Sequence, residues 1–310
     1  MTPLRAKDIT GVWGTLLLPL DDGEAIDRDR LAAQLDALLG AGLHGIYAHG
    51  TAGEFHTLAE DEFDGINELL AERCTAAGVP FQIGASHPVA QTAVARVRRA
   101  RELSPGALQV ILPDWLPLSD DEAVAFLARI AEVADPVPLV LYNPPHAKTP
   151  VSPALLGRLL DEVPALVGLK TAGGDDAWYD AVRPHTARCS VFVPGHLLAT
   201  GIANGAQGSY SNVAALAPAG SVRWYETMHT DPAAALDVQR RLAELFRRHV
   251  APLQASGLSN PALDKFLAAV GGWADTGVRL RWPATPAPEA AVLPARRDAH
   301  DLVPELFSLG

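Results

Sequence analysis

Short apolar runs alternate with longer stretches of helical periodicity along most of the chain. Eight runs have strand length and composition: residues 12–18, 45–48, 81–85, 108–112, 139–142, 167–170, 191–193 and 207–211. They are short and mostly apolar on both sides of the pleat, as strands covered on both faces are. Between them, Thr57-Leu58-Ala59-Glu60 and Ser119-Asp120-Asp121-Glu122 read as capping boxes. The first precedes a stripe of Phe63, Ile66, Leu69 and Leu70, and the second precedes Val124, Phe126, Leu127 and Ile130. Ser152-Pro153 places a cap residue before a proline suited to a first helical turn.

Eight strand–helix repeats predict an α/β fold, a (β/α)8 TIM barrel over residues 1–231. An open doubly wound sheet is the rival, but no GxGxxG follows the first strand. Residues 232–310 read as a helical extension. One helix carries Val238, Leu242, Leu245 and Phe246 on one side; another runs from Asn260-Pro261 to Gly271-Gly272. Both are predicted to pack on the outside of the barrel. From about Trp282 onward the chain is rich in proline and alanine, and this tail is predicted to be extended and loosely held.

Composition narrows the partners. Of the 310 residues 48% are hydrophobic, enough for a full core and too many for a disordered chain. The net charge is -11 and no dense basic run occurs, which argues against nucleic acid. Arg96, Arg98, Arg99 and Arg101, at helical spacing, read as a solvated face. Cys74 and Cys189 fit no zinc spacing and read as small core residues in a reducing compartment. No signal-like or membrane-spanning apolar stretch is present in the sequence, so a soluble, cytoplasmic protein without membrane contact is expected.

The candidate chemistry sits where strands end, since a barrel of this kind places its active site there. The run Leu166-Val167-Gly168-Leu169-Lys170 closes on a primary amine. Burial disfavours its charge, and a lysine of lowered pKa can attack a carbonyl to form a Schiff base. After the second strand, Gly50-Thr51-Ala52-Gly53-Glu54 could point amides at an anion, with the Thr51 hydroxyl beside them. The fifth strand ends in Tyr142-Asn143-Pro144-Pro145, where a phenol could pass a proton. Each also has a purely structural reading: a tight turn, a packing aromatic, a snorkelling lysine in an ion pair.

Together these segments resemble the dihydrodipicolinate synthase / N-acetylneuraminate lyase family of class I aldolases, from about Gly11 to Phe266. Gly50 to Glu54 match its G-[ST]-[ST]-G-E loop with one change, and Tyr142 to Pro145 match its Tyr-Asn-x-Pro turn. Gly168-Leu169-Lys170 match its lysine strand; Gly205, Gly208 and Ser211 match its later glycine segment. The resemblance implies that Lys170 forms the imine, Tyr142 shuttles protons and Thr51 holds that tyrosine. It implies that the substrate carboxylate lies at the amides of the Gly50 loop, Thr51 and Ala52, and that Gly195 and Tyr210 line the pocket. It implies no cofactor, a small 2-oxo acid as ligand, and a homodimer or homotetramer.

Three departures stand out against that pattern. Ala52 replaces a hydroxyl residue. Trp115 stands where true dihydrodipicolinate synthases carry a tyrosine that reaches into the neighbouring subunit's site. The arginine expected soon after the Tyr-Asn-x-Pro turn is missing, leaving His146 and Lys148 as candidate anion binders. The implied function is therefore an aldolase or lyase for pyruvate or a longer 2-oxo acid, other than the synthase of lysine biosynthesis. Dehydration of a 2-oxo sugar acid and non-catalytic 2-oxo-acid binding are the alternatives. A metal-dependent aldolase would need His49, Glu54 and His56 to converge. A pyridoxal phosphate enzyme could also use a barrel lysine.

Overall fold

The computed structural model describes residues 1–308; the last two residues of the expected tail lie outside the described residues. Eight parallel strands close into a barrel in sequence order. The first half runs β1 Gly11–Thr15, α1 Arg28–Leu39, β2 Gly45–Ala48, α2 Glu60–Ala77, β3 Phe81–Gly84, α3 Ala90–Glu102, β4 Ala107–Val110 and α4 Asp120–Ala134. The second half runs β5 Leu139–Tyr142, α5 Pro153–Glu162, β6 Leu166–Lys170, α6 Asp176–Val182, β7 Ser190–Phe192, α7 Leu198–Ala203, β8 Gly208–Tyr210 and α8 Asn212–Leu216. Five helices follow: α9 Pro218–Thr230, α10 Pro232–His249, α11 Ala251–Ala255, α12 Asn260–Gly271 and α13 Val292–Leu302.

The strands are apolar on both faces because both are buried. Outward residues such as Val12, Ile46, Ile83, Leu108 and Leu141 pack under the helices. Trp13, Tyr47, Val140, Phe192 and Tyr210 fill the interior as a separate cluster. No helix among the described residues is long and apolar enough to cross a membrane. Both cysteines are free and buried.

The helix signals hold with two shifts of register. The Ser119–Glu122 box forms as predicted, and Ser152 caps α5 ahead of Pro153. At α2 the N-cap falls on Ala59 instead of Thr57; alanine has no side-chain acceptor, so only half of the box forms, with the Glu62 carboxylate accepting from the Ala59 amide. Thr57 is diverted because its hydroxyl donates to the Glu54 carbonyl within a short 3-10 turn. At α12 the N-cap is Ser259, one residue before Asn260.

Three expectations change. Arg96 is not solvated: it lies in the buried row of α3 with Ala93, Val97 and Ala100, donates to the Ser86 carbonyl and pairs with Glu60. The tail is not extended. Ala295 and Ala299 of α13 are buried, and the Arg296 guanidinium donates to the Ala269 and Val270 carbonyls at the C-terminal end of α12. Small side chains bring that helix close, which is why its composition read as a loose tail. Finally, α12 does not stay outside the barrel wall, since Leu263, Asp264 and Leu267 face the cavity at the strand ends.

Candidate active site

Residues from β2, β5, β6 and β8 meet with α10 and α12 around a cavity of about 310 Å³ at the C-terminal ends of the strands. That volume suits a small molecule. Lys170 ends β6 and points into it. Its Nζ donates to Tyr47 Oη at 3.3 Å and lies 4.1 Å from the Tyr142 ring centroid. The Tyr47 and Tyr210 rings are 5.0 and 5.2 Å away. The exposure left to Lys170 is exposure to the cavity. Burial pulls its pKa down to about 8, while Asp264 pulls the other way. The Asp264 carboxyl is pushed up to about 7, again by burial, with Lys170 opposing.

Tyr142 ends β5 beside Lys170 in register. Its hydroxyl accepts from Thr51 Oγ1 at 3.3 Å. Burial raises the Tyr142 pKa, so the phenol rests protonated. The following turn is held by Asn143, whose Nδ2 donates to the Thr149 carbonyl and whose Oδ1 accepts from the Val151 amide. The glycine loop returns under this pair. A side chain at Gly50 would meet the Tyr47 ring at 2.7 Å, so only glycine lets the loop pass so close. Among the described residues the Thr51 and Ala52 amides donate to no protein acceptor. They remain free for an anion.

The sequence-derived set divides in two. Lys170, Tyr142, Thr51, Ala52 and Tyr210 line the cavity together. Tyr210 is tied down, its hydroxyl donating to Gln82 Oε1 at 2.6 Å. Gly50 and Gly195 stand behind the wall. A Cβ at Gly195 would lie 2.3 Å from Ser211 Oγ, so that glycine permits the close seating of Pro194 and His196, which do line the cavity. His146 is exposed and lines a neighbouring cavity that shares Thr51 and Tyr142 with the first. Lys148 is exposed and lines neither, and Trp115 is 83% exposed. The anion-binding expectation for His146 and Lys148 therefore has no support in this cavity.

Among the lining groups not singled out from the sequence are Tyr47, His196, Asn212 and Asp264. Alternation along Gly45-Ile46-Tyr47-Ala48 could have placed Tyr47 inside. His196 stacks on Phe246 with 5.1 Å between centroids, its Nδ1 is 2.9 Å from Asn212 Nδ2, and burial lowers its pKa. Asp264 is the lone carboxylate of α12, but nothing local to that helix says that it faces the strand ends. His49, Glu54 and His56 part ways. His49 packs against Phe63 with its pKa lowered to about 3 by burial, and Glu54 pairs with Lys265. Among the described residues no group of three or more His, Cys, Asp or Glu is arranged for a metal ion.

Comparison with known proteins gives the family and the fold. The sequence model of the dihydrodipicolinate synthetase family matches residues 8–297. A 4-hydroxy-tetrahydrodipicolinate synthase of Phenylobacterium zucineum is 32% identical over 297 residues, covering 93% of this chain and 97% of that protein. A trans-2'-carboxybenzalpyruvate hydratase-aldolase of a Nocardioides species is 29% identical over 186 residues, 56% of this chain and 55% of that one. A solved structure of a Ruminococcus gnavus sialic acid aldolase catalytic lysine mutant superposes with a TM-score of 0.85 at 15% identity, covering 99% and 100% of the two chains, a likeness of fold. With nearly its whole length matched, this chain belongs to the dihydrodipicolinate synthetase family of lyases.

Proposed function

We propose that the protein is a Schiff-base aldolase for pyruvate or a longer 2-oxo acid, distinct from 4-hydroxy-tetrahydrodipicolinate synthase. The observation that carries this reading is the Lys170 amine, its pKa near 8, at the centre of the cavity. At pH 7 roughly 10% of such an amine is neutral, against about 0.04% of a free lysine. The neutral amine attacks the C2 ketone. Tyr142 supplies and recovers the protons of carbinolamine collapse, oriented by Thr51. The free amides of Thr51 and Ala52 receive the C1 carboxylate. The resulting iminium carries the same charge as the ammonium, so the three tyrosine faces stabilise it in turn.

The distinction from the synthase rests on Ala52, on Trp115 and on the cavity wall, which among the described residues contains no arginine. The test is mass spectrometry after borohydride reduction with a panel of 2-oxo acids. A stable adduct on Lys170 is expected; no adduct with any of them overturns the reading. A Tyr142→Phe protein should still bind the acid through the amides, while its rate of adduct formation falls by about 10²–10⁴. Stopped trapping at timed intervals measures this.

The same reading places a second copy of the chain against the neighbouring cavity. Trp115 and Leu116 are 83% and 68% exposed, and that cavity is walled by Phe55, Pro88, Ile111, Leu112 and Pro144. Exposed aromatics of this size mark interfaces. Trp115→Glu is expected to shift the protein to a smaller species in light scattering. An unchanged assembly would remove Trp115 from the interface.

A further inference from the structure

Asp264 is left over when the imine chemistry has been assigned. It enters the cavity from α12, whereas the Schiff-base apparatus comes from β2, β5 and β6. Among the described residues nothing hydrogen-bonds its carboxyl, and the charge nearest in effect is Lys170. Three carboxylates on the neighbouring helices and loop are engaged: Glu62 by Arg281, Glu60 by Arg96 and Arg99, Glu54 by Lys265. The carboxyl faces the cavity, partly exposed to it and without a protein partner, so a ligand group entering there can pair with it. The other titratable groups around the cavity are already committed. Tyr142 is bonded to Thr51, Tyr210 to Gln82, Tyr47 to Lys170, and His196 to Asn212.

We propose that Asp264 exchanges the proton of the oxygen at C4 of the lysine-bound 2-oxo acid, and that the portion of substrate beyond C4 is uncharged. This rests on the Schiff-base reading above. In cleavage, the Asp264 carboxylate takes the proton of the C4 hydroxyl. The C3–C4 bond breaks, its electron pair moves to form C2=C3, and the iminium nitrogen becomes an enamine nitrogen while C4 leaves as an aldehyde. C3 then takes a proton from Tyr142, water hydrolyses the imine to pyruvate and free Lys170, and Asp264 and Tyr142 exchange with solvent to restore their protons. The limit on charge follows from the wall. Lys170 is consumed by the imine, no guanidinium lines the cavity among the described residues, and a distal carboxylate would face Asp264.

Two 4-hydroxy-2-oxo acids test this, one ending in a methyl group (4-hydroxy-2-oxopentanoate) and one in a carboxylate (4-hydroxy-2-oxoglutarate). Hydrogen exchange at C3 of deuterated pyruvate is followed beside them, because it needs the imine and no C4 oxygen. The wild type is expected to cleave the methyl compound with kcat/KM at least about tenfold above the carboxylate compound. In Asp264→Asn the ratio of cleavage to exchange should fall at least about 100-fold. The ascending limb of the cleavage pH profile near neutrality should go with it. The proposal is overturned if cleavage and exchange fall together, if the carboxylate compound is preferred, or if the wild type exchanges pyruvate yet cleaves neither compound. A wild type that neither exchanges nor traps pyruvate would overturn the Schiff-base reading instead.

Discussion

Replacing Lys170 by arginine is expected to leave a folded protein that captures no 2-oxo acid covalently, with turnover lower by at least about 10⁴-fold. Guanidinium stays protonated at every accessible pH and has no lone pair to offer. The fold should survive because Asp264 remains across the cavity as a counter-charge and the three tyrosine faces accept a planar cation. In the wild type the trapping rate should rise with pH and level off above the amine's pKa of about 8. The sign follows from the group: burial lowers the pKa, so the reactive form gains as pH passes 8, well before an exposed lysine would respond. Removing the Asp264 charge takes away the one influence that holds the value up, so the profile of Asp264→Asn should level off at lower pH. Borohydride trapping across pH 6–10 reads both. A Lys170→Arg protein that still yields a pyruvate adduct, at another lysine, would move the chemistry elsewhere. A wild type that binds pyruvate without any adduct would favour a binding protein over an enzyme.

The barrel was readable because its strands are enclosed on both faces and most announce themselves as short, mainly apolar runs. Lys170, Tyr142 and Thr51 were readable because each stands at a strand end, where a polar residue interrupts such a run. Asp264 was not, because its position depends on α12 returning across the mouth of the barrel. That return separates β2 from α12 by about two thirds of the chain, and no local pattern encodes it. Arg96 misled for a related reason: it shares helical spacing with three other arginines, and only packing against α2 decides which of them turns inward. The tail hid α13 because alanines pack closely while contributing little to a hydrophobic pattern. Trp115 is legible as an anomaly in both, a departure from the family pattern in the sequence and an exposed aromatic in the structure.

Breaking the contact between Glu54 and Lys265 from one side should give the largest loss of stability in the molecule. Lys265 Nζ lies 2.5 Å from Glu54 Oε1, with side-chain exposures of 0% and 2%. The same amine also donates to the Arg279 carbonyl at 2.5 Å, so it is held by two partners at once. Burial pulls the Lys265 pKa down and Glu54 pulls it back up. Lys265→Met leaves a carboxylate in the interior with no counter-charge, which costs about 3–5 kcal/mol. On a chain of this size the thermal midpoint should drop by on the order of 10 °C. Glu54→Gln added to Lys265→Met removes the stranded charge and should restore at least about half of that loss. If the double variant melts no higher than the single one, the pair is not what holds this region. The pair also joins the Gly50–Glu54 loop to α12, so it ties the amides proposed for the substrate carboxylate to the helix that carries Asp264. Lys265→Met should therefore weaken pyruvate exchange and C4 cleavage together, unlike Asp264→Asn, which is expected to separate them.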